Sequence, residues 1–268
     1  MRLTRNPYYH DPALTTIDSI QAITIADANT AVLAFETGQV DWLSGVNVDY
    51  QSDMLDQKKA GTRENIHAFP TFGTDFFSFN CRPFLVNKNP NPFHKAAVRR
   101  AFVLATDRGA IVKHATRLLE PTTSSIVPPQ SIAGYKTVEG LGFDPTRAIK
   151  ELAAAGWSDR DGDGFIEDKE GNPFPVIDLL YTTNTSRYKW ISLELRDQWR
   201  RVLGVRVELR GTDNKFFSAD LRSGNFMVAR GRWYGDYGDP TTFLDIFRSD
   251  NGNNDRGYIN PSIDAALD

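Results

Sequence analysis

The sequence predicts an α/β fold in which helices flank a mixed sheet. Segments of strand composition alternate with segments whose apolar residues recur every three or four positions. Several helical segments begin at an aspartate or serine and end at a glycine, as helix ends favour. The 268 residues are 40% hydrophobic and 12% aromatic, which suffices to fill a core of this size.

The first part of the chain predicts a strand, a helix and a second extended run from Val40 to Trp42, followed by a polar helix and a longer strand. Ile20 to Ile25 alternates apolar and polar positions, and a helix from Ala28 to Thr37 follows, capped by Asp27. A polar helical segment runs from Gln51 to Ala60. The phenylalanine-rich segment Phe69 to Asn80 predicts a strand that is buried on both faces.

The rest of the chain alternates between helical and strand patterns after a proline and asparagine loop from Cys81 to Pro92. The predicted helices run from Phe93 to Ala105, from Asp144 to Gly156, from Ser186 to Leu203 and from Lys215 to Leu221. A further helix is predicted to begin at Asp107 and to include Ile111 and Val112. The predicted strands run from Val176 to Tyr181, from Val205 to Leu209 and from Phe226 to Trp233.

Composition argues against several classes of function. The 31 basic and 34 acidic residues are mixed along the chain, so no basic face for nucleic acid is expected. Cys81 is the single cysteine, which excludes an intrachain disulfide. The sequence contains no secretion signal, no membrane span, no nucleophile elbow, no phosphate loop and no dinucleotide fingerprint. These patterns therefore identify no catalytic nucleophile for an enzyme.

An acidic segment from Asp159 to Glu170 has the spacing of a calcium-binding loop. Its acids stand at positions one, three, five and twelve, with glycine at position six. The ligands would be Asp159, Asp161, Asp163 and Glu170. Gly171 to Pro173 follows in place of a second helix, so the alternative is a solvated acidic turn without an ion. No other cofactor is expected.

The end of the last predicted strand gathers charged and aromatic residues. The two-residue period of a strand places Arg230 and Arg232 on one face and Trp233 on the other. Gly235 leaves space beside Asp236, so that a ligand backbone could approach and an ammonium group could pair with the carboxylate. The alternative is that the aromatic residues pack a core or its rim and that Asp236 caps a turn.

A series of motifs runs in one order along nearly the whole chain. They are NPYY, DANTAVLAFETGQVDW, FFSFN, AVRRAFVLATDR, DPTRAIKELAAAGWSDRDGDG, LRDQWRRVLGVRVEL, RGRWYGDYGDPTTFLDIF and NPSIDAALD. Together they resemble the extracellular solute-binding proteins of family 5, the oligopeptide- and dipeptide-binding receptors of ABC importers. The pattern W-x-x-D-Y-x-D-P is the most specific of them.

This resemblance implies a monomeric periplasmic or cell-surface receptor with type II periplasmic-binding-protein-like lobes. It would bind an extended peptide between the lobes and deliver it to an ABC permease in the membrane. The resemblance implies that Asp236 pairs with the α-amino group of the peptide and that Arg230 faces its carboxylate end. The strand through Trp233 and Tyr234 would lie along the peptide backbone, with Gly235 and Phe76 as further ligand-binding candidates. Arg232 stands where the family often has a small residue.

The resemblance also implies a division into lobes. Residues 1–75 would be part of the first lobe, residues 76–85 the hinge crossing, and residues 86–268 a far lobe truncated at its C-terminal end. The chain would then be a fragment from which the export signal is absent. Two alternatives stay open, namely a receptor for a non-peptide solute such as a nickel chelate or an oligosaccharide, and a calcium-stabilised hydrolase.

Overall fold

The computed structural model of this protein describes residues 1–118 and 120–268. The chain divides into two compact units, residues 1–50 and residues 51–268. In the first unit a short antiparallel pair precedes a helix capped by Asp27, whose carboxylate accepts a hydrogen bond from the Thr30 amide at 2.8 Å. These elements are β1 (Arg2–Thr4), β2 (Ser19–Gln21) and α1 (Ala28–Glu36).

The second unit is built on a four-stranded mixed sheet with the strand order β3-β6-β4-β5. Strand β3 is antiparallel to β6, whereas β4 is parallel to both β5 and β6. The strands are β3 (Gly73–Phe79), β4 (Ile177–Thr182), β5 (Val207–Thr212) and β6 (Val228–Tyr234).

Helices connect these strands and pack on the sheet. Within the described ranges the further helices are α2 (Val48–Lys59), α3 (Ala96–Leu104), α4 (Arg108–Ile111), α5 (Pro145–Ala154), α6 (Ser186–Leu203), α7 (Asn214–Ser223), α8 (Thr241–Leu244) and α9 (Pro261–Leu267). A π-helical turn at Val112–Thr116 follows α4, and 3-10 turns lie at Pro12–Leu14, Pro92–His94 and Asp245–Phe247.

The two faces of the sheet belong to different hydrophobic clusters. Leu179 packs in the main core, to which α3, α5 and α6 contribute, whereas Leu180 packs in a second cluster with Phe217 of α7. Neighbouring residues of a strand point to opposite faces, so β4 is buried on both sides. The four-residue spacing predicted for α6 is confirmed, because its apolar positions Tyr188, Ile191, Leu195 and Trp199 are all buried.

Aromatic rings form the centre of the main core. Phe93 stacks on Phe79 at 5.0 Å between ring centroids and meets Phe102 edge-on at 4.9 Å. Trp199 contacts Phe102 at 5.0 Å, and its indole N–H donates to the hydroxyl of Thr106 at 3.0 Å. The polar atom of this buried indole is thereby satisfied, as burial requires.

The predicted fold class is confirmed, but several element boundaries differ. The strand predicted from Ile20 to Ile25 is the three-residue β2, and the strands β4, β5 and β6 each begin one or two residues later than predicted. Helix α8 begins at Thr241, directly after Pro240. The Asp239 carboxylate accepts a hydrogen bond from the Thr241 amide at 2.9 Å and so caps this turn.

The prediction that the phenylalanine-rich strand is buried on both faces is wrong. Strand β3 lies at the edge of the sheet, and Phe76, Phe77 and Phe79 are only half-buried. An edge strand has a neighbour on one side alone, and here neither face of β3 is fully covered. A phenylalanine-rich composition therefore did not distinguish an edge strand from a central one.

The predicted lobe crossing at residues 76–85 concerns the whole protein and stays a prediction. Its first residues, Phe76 to Phe79, form the second half of β3. In the part of the chain that the structure covers, no helix combines the length and the apolarity needed to cross a membrane.

The aromatic core gives a direct test of the packing. Phe102→Ala should lower the free energy of unfolding by about 3–5 kcal/mol, because it leaves a cavity among rings that cannot close around it. Phe216→Ala is the matched control, since that ring is 62% exposed, and it should change stability by about 0.5 kcal/mol or less. Denaturant unfolding followed by tryptophan fluorescence measures both, and similar losses would contradict this core.

Candidate functional site

The parallel strands define the edge of the sheet where a ligand is expected. Strands β4, β5 and β6 run in the same direction, so their carboxyl ends at Thr182, Thr212 and Tyr234 lie at one edge. Strands β5 and β6 flank β4 on opposite sides. Open α/β sheets bind ligands outside the carboxyl ends of their strands, at the point where the strand order reverses. The candidate site is this carboxyl edge.

Most of β6 has a free backbone edge at this position. Strand β4 pairs with β6 only at Val228 and Ala229, whereas β3 pairs with β6 along its whole length to Tyr234. Within residues 1–118 and 120–268, no strand pairs with the other side of residues 230–234. Alternate residues of a strand direct their N–H and C=O groups to each side, so this edge can accept an added strand.

Asp75 of β3 joins two arginines beside the free edge. Its Oδ1 accepts a hydrogen bond from the Nε of Arg232, its cross-strand partner, at 2.8 Å. Its Oδ2 accepts from the Nε of Arg187, at the start of α6, at 3.1 Å. Arg187 also donates to Glu120 at 2.5 Å, and the Tyr188 hydroxyl donates to Asp75 at 3.4 Å. The sequence separations of these residues range from 67 to 157 positions.

The pKa values of this group reflect burial and the Asp75 charge. Burial, with the neighbouring Asp75 carboxylate, raises the pKa of the Tyr188 hydroxyl, which therefore stays protonated as a donor. Burial acts to lower the pKa of Arg232, but the hydrogen bond from Arg232 to Asp75 and the charge of that carboxylate raise it above its ordinary value. The Arg232 guanidinium is thus held as a paired cation.

Arg230 differs from Arg232 in having no acidic partner. Its guanidinium lies between two rings, 4.4 Å from the centroid of Tyr188 and 4.7 Å from that of Phe217. Its Nε is buried and has no hydrogen-bond partner among the described residues. Burial lowers the pKa of this guanidinium. The Arg230 side chain is half-buried and pairs with no carboxylate, which leaves its guanidinium able to bind an anion.

The strand face predicted for each arginine is confirmed by the register. Arg230 lies opposite Phe77 and Arg232 opposite Asp75, while Gly231 lies opposite Phe76 on the other face. A Cβ atom at Gly231 would be 2.3 Å from the Phe76 ring, so this position requires glycine. Phe76 therefore packs over the backbone of β6, on the face opposite to Arg230.

The two aromatic candidates that follow on β6 differ in their surroundings. Trp233 is half-buried, packs against the cluster that includes Phe243, and donates its indole N–H to the Thr242 carbonyl at 2.6 Å. Tyr234 is 49% exposed and stands at the carboxyl end of β6. The packing alternative accordingly fits Trp233, whereas Tyr234 offers its ring to solvent or a ligand.

Gly235 and Asp236 follow at the tip of the strand. A Cβ atom at Gly235 would be 2.1 Å from the ring of Phe72, so the missing side chain makes room for this ring. The Asp236 amide donates to the Thr242 hydroxyl at 2.9 Å. The Asp236 carboxylate is exposed and forms no hydrogen bond or salt bridge with any of the described residues. Asp239, and not Asp236, caps the following turn.

The acidic loop brings together a different set of carboxylates from the predicted one. Oxygen atoms of Asp159, Asp161 and Glu167 lie within 4.8 Å of one another. The Asp163 carboxylate instead accepts a hydrogen bond from the Phe165 amide at 2.8 Å, and Glu170 is exposed 3.4 Å from a lysine. Glu167 is buried and accepts from the Arg160 amide at 3.0 Å. The chain turns here before position twelve of the loop, so Glu170 lies outside the cluster.

A cavity of about 810 Å³ lies at the other end of the sheet. It borders Val176, which precedes β4, and Phe226, which precedes β6. Its lining is mostly proline, asparagine and aliphatic, and its Asp178 already binds Arg210 through both oxygens. This cavity is at the amino ends of the parallel strands, so we place the candidate site at the carboxyl edge and not here.

Comparison with known proteins identifies the family. A family profile for bacterial extracellular solute-binding proteins, family 5 (middle), matches residues 1–255. The chain belongs to this family. Among curated relatives, the periplasmic oligopeptide-binding protein OppA of Salmonella typhimurium is 30% identical over 271 residues, covering 99% of this chain and 46% of that protein. The solute-binding chain therefore spans about half the length of the curated relatives it matches.

Solved structures of solute-binding proteins share the fold. OppA of Haemophilus influenzae, in complex with RPPGFSPFR, matches with a TM-score of 0.75 at 25% identity, covering 99% of this chain and 49% of that one. NikA from Brucella suis, in complex with Fe(III)-EDTA, matches with a TM-score of 0.80 at 22% identity, covering 99% of this chain and 52% of that one. The latter likeness concerns the fold alone.

Sequence reasoning missed three residues of the solute-binding protein's candidate site, namely Asp75, Glu120 and Arg187. Asp75 was visible as an acid inside an aromatic strand, which is an unusual position for a carboxylate. Glu120 lies in a loop and Arg187 at a helix start, and neither position carries a sequence pattern. Only the sheet register and the docking of α6 bring them to Arg232.

Calcium in the acidic loop stays a prediction that chelation tests. A site filled at about 100 times its Kd is stabilised by about 2.7 kcal/mol, so EDTA should lower the Tm by about 5 °C or more. Asp161→Asn and Glu167→Gln should remove this sensitivity, whereas Glu170→Gln should retain it. Scanning calorimetry measures these shifts. Equal Tm values with and without EDTA would establish an ion-free turn.

Proposed function

We propose that the complete protein is the substrate-binding component of an ABC importer. It binds peptides in an extended conformation between two lobes and delivers them to a membrane permease. The observation that carries this proposal is the free backbone edge of β6 at residues 230–234, which is bordered by Arg230 and Asp236, two charged groups that form no salt bridge among the described residues.

The free edge suits a peptide because main-chain hydrogen bonds do not depend on side chains. A peptide added as a strand along residues 230–234 would pair its N–H and C=O groups with those of β6. Affinity then comes from the backbone, and pockets around alternate side chains set preference. The exposed ring of Tyr234 supplies contact area beside such a strand.

The two charged groups match the two ends of a peptide. Asp236 has an exposed carboxylate next to the strand end, where it can pair with an α-ammonium group. Arg230 presents a guanidinium that is held between Tyr188 and Phe217 and lacks an acid, so it can bind the carboxylate end. Opposite charges at the two ends of one edge also fix the direction in which the peptide lies.

The relatives support this assignment. OppA of Salmonella typhimurium is named an oligopeptide-binding protein, and the Haemophilus influenzae OppA structure contains RPPGFSPFR. We assign this protein to the periplasm or cell surface, as a monomer that works with a permease. In this role the protein binds and releases its solute unchanged, as a receptor and not an enzyme. A non-peptide chelate is the competing solute, because NikA shares this fold with Fe(III)-EDTA bound.

The role of Asp236 is tested by changing both the residue and the ligand. In the complete protein, Asp236→Asn should weaken binding of a free-amine peptide by about 2–5 kcal/mol, because a buried ammonium would lose its charge partner. The same peptide with an acetylated amino end should bind both proteins equally. Calorimetric titration measures the four affinities.

Asp239→Asn is the matched control for this test, since Asp239 is three residues away and its carboxylate is engaged by Thr241. It should leave the affinity of both peptides nearly unchanged. Equal losses for the free and acetylated peptides in Asp236→Asn would refute the proposed contact. Tight binding of a metal chelate without any peptide binding would favour the competing solute.

A further inference from the structure

Three arginines converge on one face of the candidate site, yet only one of them lacks an acidic partner. Arg232 and Arg187 both bind the Asp75 carboxylate, and Arg187 also binds Glu120. In residues 1–118 and 120–268, Arg230 forms no salt bridge, and its guanidinium lies between the rings of Tyr188 and Phe217. The difference between these neighbouring cations needs a physical explanation.

We propose that Asp75 is a positioning residue that sets the charge preference of the site by occupying Arg232 and Arg187. With both cations engaged, the anionic group of a ligand is directed to Arg230. This inference rests on the proposed function, since it specifies which peptides that same site accepts.

The geometry allows Asp75 to hold both arginines at once. Oδ1 lies 2.8 Å from the Nε of Arg232 and Oδ2 lies 3.1 Å from the Nε of Arg187, so each oxygen has a separate donor. Asp75 and Arg232 are directly opposite on β3 and β6, which gives the pair little freedom to separate. The Tyr188 hydroxyl adds a third donor at 3.4 Å.

The charges in this group alternate and cancel. Glu120, Arg187, Asp75 and Arg232 form a chain of two carboxylates and two guanidiniums. A ligand carboxylate that approaches Arg232 must therefore displace Asp75 from its hydrogen bond, and it gains little net attraction. These four paired charges, which sum to zero, would discriminate against ligands with acidic side chains without any steric block.

Arg230 does not belong to this group of paired charges because its own neighbours carry no acid. Its cross-strand partner is Phe77, where Arg232 has Asp75. The rings of Tyr188 and Phe217 hold the guanidinium between them and offer no carboxylate. Two arginines that are two residues apart on the same strand thus have different roles, which follow from the residue opposite each of them.

Substitutions at Asp75 and at Arg232 should change the relative affinity for acidic peptides in opposite directions. In the complete protein, Asp75→Asn frees Arg232 and Arg187, so peptides that contain Glu should gain about 3- to 10-fold in affinity relative to matched Gln peptides. Arg232→Gln removes one of the two cations that Asp75 binds and leaves the group with a net negative charge, so the same ratio should fall by about 3-fold. These ranges follow from partly exposed charge pairs. Titration of tetrapeptides with Glu or Gln at each position measures the ratio.

Opposite signs separate this role from a structural one. If Asp75 and Arg232 only brace β3 against α6, both variants should weaken Glu and Gln peptides alike and leave the ratio unchanged, which would overturn the inference. Glu120→Gln provides a second variant should Asp75→Asn fail to fold. It keeps the Asp75 pairs and should shift the ratio in the same direction as Asp75→Asn, by about 2-fold.

The wild-type protein distinguishes failure of this inference from failure of the proposed function. Binding of both peptide series by the wild type, with ratios that do not change in the variants, would refute the role of Asp75 and leave the receptor function standing. Failure of the wild type to bind any peptide would refute the proposed peptide-binding function, and the role of Asp75 would fall with it.

Discussion

The pairing of β6 with its neighbours is the constraint on which the candidate site depends. Strand β6 pairs with β3 along its full length but with β4 only at Val228 and Ala229. This unequal pairing holds residues 230–234 in a strand conformation and leaves one side of their backbone free. The side chains of the site take their positions from this strand, since its register sets the face on which each one lies.

The register also explains why similar residues have different properties. Arg232 faces Asp75 and is a paired cation, whereas Arg230 faces Phe77 and keeps a guanidinium without an acid. On the opposite face of β6, Gly231 has no side chain, so the Phe76 ring packs closely against the strand backbone and fixes its position. The site is therefore pre-arranged by backbone pairing, and a ligand need not organise it.

The sequence predicted the fold class and the placement of most helices because periodicity and capping residues are local signals. Asp27 and Asp144 cap their helices through side-chain hydrogen bonds, as the pattern at these positions predicts. The role of β3 as an edge strand was not predictable, because phenylalanine content does not reveal how many neighbours a strand has. The Asp75 group was not predictable either, since its members come together only through sheet register and helix docking.

In the acidic loop, the spacing of the acids suggested Glu170, but the chain turns early and brings Glu167 in its place.

The most direct test of the account is to identify the solute that copurifies with the complete protein. Mass spectrometry of the extracted ligand should find short peptides with free amino and carboxyl ends, because both charged groups of the site would then be matched. Recovery of a metal chelate or an oligosaccharide, with no peptide present, would contradict the central claim that the free edge of β6 binds a peptide strand.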